Sequence, residues 1–122
     1  MTISLERVFI KYVLKNKKHF QTVQSSYFKN PDIEFVYAII RKWMVKHTDI
    51  EVPSPKQLFE MVHLEDKESK ITPEIFKAIF SATLDDYDEE KFIKPKFNTW
   101  ILINRIREGT LNIVDETRSV AD

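Results

Sequence analysis

Along this chain apolar residues return at intervals of three and four, the spacing that gives a helix one buried face. Leu5, Val8, Phe9, Tyr12 and Val13 form one such set, and Phe35, Val36, Ile39, Ile40 and Trp43 form another. Both read as amphipathic helices turned towards a core. A shorter segment, 17–24, carries Phe20 and Val23, and Tyr27 and Phe28 make an apolar step before the next helix. Leu58, Phe59, Met61 and Val62 mark a fourth helix, and Ile75, Phe76, Ile79, Phe80 and Leu84 a fifth. The periodicity predicts an all-α fold, a compact bundle of about five to six helices.

Proline supplies the punctuation. Asn30-Pro31, Ser54-Pro55 and Thr72-Pro73 each place a capping residue directly before Pro, and each predicts a helix start. Pro at the first helical position loses no hydrogen bond, because that N–H has no intrahelical partner. Gln57, three residues after Ser54, completes a predicted capping box. The charged run Glu65 to Lys70 reads as a flexible loop, too short to link domains.

The end of the chain departs from the single-stripe pattern. Asp88 is placed to cap a short turn through Ile93, Pro95 interrupts, and one long helix is expected from Lys96 to about Val120. The expected division is a globular subdomain at 1–94 and a long helix at 95–122. Trp100, Ile101, Leu102 and Ile103 are consecutive, so they point around most of the helix circumference, and Ile106, Leu111, Ile113 and Val114 continue the apolar theme. A helix apolar on more than one side needs more than one packing surface. Phe97, Trp100, Ile101, Leu102, Ile106 and Leu111 are therefore the candidate interface. Gly109, inside this helix, costs about 1 kcal/mol relative to Ala.

Composition removes several chemistries. With Gly109 as its one glycine, the chain has no Gly-rich phosphate loop. It has no cysteine, which excludes disulfides, thiolate nucleophiles and Cys-ligated zinc and is compatible with a reducing, cytoplasmic address. Glu6, Arg7 and Lys11 break the apolar run at the amino terminus, so neither a signal peptide nor a membrane span is expected there, and the chain reads as intact at Met1. Net charge is zero but unevenly spread: residues 1–48 hold 9 Lys/Arg against 3 Asp/Glu, and residues 49–95 hold 6 against 12. Such asymmetry orients partners and steers anions without setting the fold.

No catalytic residue, cofactor site or metal site is expected. His19, His47 and His63 have no metal-ligand spacing, and the acidic run Asp85, Asp86, Asp88, Glu89 and Glu90 lacks the EF-hand pattern and its glycine. That run suits a helix junction, where carboxylates favour the positive end of the dipole. Lys11, Lys15 and Lys18 fall at i, i+4 and i+7 and form a candidate nucleic-acid contact, with Arg41, Lys42 and Lys46 adding charge from another helix. The near-neutral pI of 6.8 and the core spacing of the nearby aromatics favour a solvated face instead.

Residues Leu5 to about Val114 resemble the N-terminal domain of DnaB-family replicative helicases of the T-even phage type. The resemblance is carried by Leu5-Glu6-Arg7-Val8-Phe9-Ile10-Lys11-Tyr12-Val13-Leu14 and by Ser26-Tyr27-Phe28 leading to Phe35, Ile39, Ile40 and Trp43. Val52-Pro53-Ser54 with Leu58, and the long final helix with Trp100, extend it. It implies a helical subdomain followed by a helical hairpin, whose pairing between subunits builds a collar on a homo-hexamer. It also implies docking of primase and of the helicase loader, with DNA contacted only indirectly and no membrane. Segment 95–122 would then be a truncated first hairpin arm. The chain carries no GxxxxGK[ST] motif, so no ATP hydrolysis is expected of it, and the resemblance leaves that to a longer parent, an ATP-dependent DNA helicase. The alternatives are a stand-alone helicase or primase adapter and a small single-stranded nucleic-acid-binding accessory protein.

Overall fold

A computed structural model describes the backbone of residues 4–121 and the side chains of residues 4–109. The fold is all-helical, with no strand among the described residues: α1 Leu5–Lys15, α2 His19–Thr22, α3 Pro31–Lys46, α4 Pro55–Glu65, α5 Pro73–Ile79 and α6 Lys94–Ala121. The chain divides into two compact units, Met1–Tyr87 and Asp88–Asp122.

In the first unit α3 is the central element, packing against α1, α2, α4, α5 and the 3-10 turn Ser25–Tyr27. Its start is fixed locally. Asn30 accepts the N–H groups of Asp32 and Ile33 on its side-chain oxygen at 2.9 and 3.2 Å, and Pro31 holds the first position. Glu6 of α1 accepts the N–H groups of Lys29 and Asn30 at 2.7 and 3.0 Å, so one carboxylate ties α1 to the entry of α3. Ser54 and Gln57 form the reciprocal capping box of α4, and Thr72 accepts the Ile75 N–H to start α5. The three Pro-marked starts thus stand where local hydrogen-bond chemistry puts them.

The core of this unit is aromatic and branched. Tyr37 is fully buried, stacks on Phe20 at 5.8 Å, meets Phe28 at 4.9 Å and donates its hydroxyl to the Val23 carbonyl at 2.7 Å. That buried phenol is pushed well above its ordinary range by desolvation, with Arg41 opposing the shift, so it is the neutral hydroxyl that makes the bond. Arg41 also donates to the Phe20 carbonyl at 2.8 Å, and Lys17 donates to the Thr48 and Ile50 carbonyls at 3.0 and 3.3 Å, closing the loop beyond α3. In α1, Ile10 is fully buried, whereas Leu5 of the expected stripe is exposed.

The Glu65 to Lys70 run is built rather than loose. Asp66 is buried and accepts the N–H groups of Lys70 and Ile71 at 3.0 and 2.7 Å, while Ser69 takes a left-handed φ of 53°.

In the second unit Asp88 accepts the Lys91 N–H at 2.7 Å and opens a π turn, Glu89–Ile93, that runs directly into α6. Pro95 therefore sits near the start of an unbroken helix instead of separating two elements. The Ile93 N–H reaches back five residues to the Asp88 carbonyl at 3.0 Å, which is the π pattern. Pro95 has no N–H to donate back to the preceding turn, and the wider π geometry of that turn leaves room for its ring. Ile93, Phe97 and Asn104 are buried along α6, and the Asn104 amide donates to the Trp100 carbonyl at 2.8 Å.

Candidate docking surfaces

Among the described residues, each unit presents an exposed apolar surface. The first lies on α6. Ile93, Phe97 and Asn104 repeat at intervals of four and seven and define its buried stripe. At 100° per residue, Leu102 and Ile106 fall on the opposite side of the helix and Ile103 on its flank, about 100° from the stripe. Leu102 and Ile106 are 57% and 55% exposed, and Ile103 is 43% exposed. Arg105, Arg107 and Glu108 flank them in solvent.

The sequence-based interface set splits accordingly. Phe97 is buried and offers no free surface, because its spacing from Ile93 places it on the same buried stripe. Trp100 and Ile101 are half-buried, and the Trp100 ring lies 5.7 Å from that of Phe97. Leu102 and Ile106 are open to solvent, joined by Ile103, while Leu111 lies outside the residues whose side chains are described.

The second surface lies between α3 and α4, where a groove of about 460 Å³ is floored by Phe35, Ile39, Trp43, Met61 and Leu64. A neighbouring hollow of about 430 Å³ shares Trp43, Met61 and Leu64 and continues past Ile50 and Pro53. Leu64 is 79% exposed, and Phe35 and Trp43 are each 38% exposed. The His47 ring packs on Trp43 with centroids 4.1 Å apart.

Sequence reasoning assigned Phe35, Ile39 and Trp43 to the core, and the structure corrects it. The core stripe of α3 is Ile33, Val36, Tyr37, Ile40 and Met44, and Phe35, Ile39 and Trp43 form a second stripe beside it. The periodicity of 35, 36, 39, 40 and 43 blended the two. The signal that separates them is Ile33 and Met44, which extend only the inner row.

The basic candidates do not form one stripe. Lys11 and Lys15 share α1, but the helix ends at Asn16 and Lys18 stands in the turn before α2. Lys11 is only half-exposed. The histidines go to aromatic neighbours: His19 with Tyr12, His47 with Trp43 and His63 with Phe59. Burial lowers the pKa of His19, and a hydrogen bond that the ring donates to the Tyr12 backbone opposes the shift. Among the described residues no three His, Cys, Asp or Glu side chains converge as a metal site requires. The described residues also contain no helix long and apolar enough to cross a membrane. No protein-family model, curated protein or solved structure matches the chain.

Proposed function

We propose that this chain is a non-catalytic protein-interaction and self-association domain. Its role is that of the N-terminal collar of a phage-type replicative DNA helicase, docking primase or the helicase loader in the cytoplasm of the host cell. The observation that carries the self-association part is the second apolar face of α6, Leu102 and Ile106 opposite the buried stripe with Ile103 on their flank. Three large aliphatic side chains in water are a cost that pairing with a second helix removes, at roughly 25 cal/mol per Å² covered. The helicase setting rests on the sequence resemblance, and the all-helical build with a long last helix agrees with it.

Self-association is tested by sedimentation velocity from about 5 to about 500 µM, the range in which a small apolar interface dissociates. The mean mass is expected to rise with concentration, and Leu102→Asp with Ile106→Asp to keep the chain monomeric. A wild-type chain that stays monomeric throughout overturns the reading. The helicase setting is tested on the coding frame beyond Asp122, where a second hairpin arm and a GxxxxGK[ST] motif are expected. A frame that ends there moves the role to a stand-alone adapter.

A further inference from the structure

The groove between α3 and α4 has a composition that specifies its occupant. Its floor is a row of one-sided anchors, Phe35, Ile39 and Trp43 at intervals of four, faced by Met61 and Leu64 from α4. From Phe35 to Trp43 that row is about 12 Å long at 1.5 Å per residue, the span of helix side chains at i, i+3, i+4 and i+7. An extended strand would need an open sheet edge to satisfy its backbone, and none exists among the described residues; a helix satisfies its own backbone and brings only side chains. The lip on the α3 side carries Lys42 and Lys46, both exposed and, among the described residues, in no hydrogen bond or ion pair. The α4 lip carries Glu65.

We infer that the α3–α4 groove binds an amphipathic helix of a partner protein, apolar at i, i+3, i+4 and i+7, with acidic residues on the flank that lies over Lys42 and Lys46. The Glu65 lip sets the direction of this complementarity, because the opposite flank of the ligand must be neutral or basic. Trp43 and Leu64 are the anchors that lose most water on docking, and a tryptophan between apolar walls is the residue type that dominates such interfaces. The lysines contribute chiefly rate and selectivity, since rim charges are screened. This inference does not depend on self-association through α6.

The probe is a pair of fluorescein-labelled helical peptides of about fourteen residues, long enough for three turns, sharing one apolar pattern and differing only in Glu or Lys on one flank. They are titrated with the whole chain by fluorescence polarisation at low salt. The acidic peptide is expected to bind about tenfold more tightly than the basic one. The Lys42→Glu, Lys46→Glu double variant is expected to reverse that order. Leu64→Asp, at an exposed position that leaves the core intact, is expected to weaken the acidic peptide about tenfold or more. Equal affinity for the two peptides, binding that survives Leu64→Asp, or no binding by about 1 mM overturns the inference. Loss of self-association in Leu64→Asp assigns the groove to a second copy of the chain and overturns it too. Leu102→Asp leaves peptide binding unchanged, so failure of this inference is distinguishable from failure of the α6 reading.

Discussion

Asp66 shows how one side chain converts a polar run into structure. Its own N–H caps α4 on the Val62 carbonyl at 2.9 Å, and its two carboxylate oxygens take the N–H groups of Lys70 and Ile71. Asp66→Ala leaves those donors without an acceptor, the Ile71 N–H in a buried position, and is expected to cost about 1–3 kcal/mol in urea unfolding. Ser69→Gly in the same turn removes the left-handed penalty of a side chain and is expected to gain about 0.5–1 kcal/mol. His19 gives a pH dependence whose sign follows from its lowered pKa. The unfolded chain, near the ordinary histidine value of 6.5, takes up the proton first as pH falls. Stability is thus full above that value and declines below it. Unfolding midpoints at about pH 7.5 and pH 5.5 are expected to differ less in His19→Gln than in the wild type.

At the scale of elements, what the sequence made legible was local and what it hid was tertiary. The starts of α3, α4 and α5 were readable because an Asn, Ser or Thr cap and the Pro after it act within four residues. Asp88 was readable for the same reason, while the effect of Pro95 was not, since a π turn absorbs it by a change of ladder that composition does not encode. Nor could periodicity choose between two adjacent apolar rows on α3, because only the packing of α1, α2 and α5 decides which row is inside. That choice has measurable weight. Ile40→Ala removes a fully buried side chain and is expected to cost about 2–5 kcal/mol, whereas Phe35→Gln on the outer row is expected to cost under about 1 kcal/mol. Comparable losses at the two positions would place Phe35 in the core after all. The two-sided nature of α6 was legible from four consecutive apolar residues, but the burial of Phe97 and the exposure of Ile103 are set by packing that spacing does not encode.

For the whole molecule the competing forces are charge and apolar surface, and ionic strength separates them. Residues 1–48 carry a net excess of positive charge and residues 49–95 an equal negative one, so copies of the chain have an electrostatic reason to meet that is independent of α6. Attraction of that kind fades as the Debye length shrinks from about 10 Å at 0.1 M salt to about 3 Å at 1 M. Burial of Leu102, Ile103 and Ile106 does not fade, and sulfate strengthens it. Self-association is therefore expected to hold between low salt and about 0.5 M sodium chloride, and to tighten in sodium sulfate, with Leu102→Asp abolishing it in all three solutions. An association that collapses with salt and ignores Leu102→Asp belongs to the charge asymmetry. A single-stranded DNA complex that collapses in the same way and needs Lys11 and Lys15 belongs to the basic half, because phosphate contacts release counterions and lose affinity steeply with salt. The salt series thus assigns the contact to a surface before any partner is known, since each surface has its own response to the solvent.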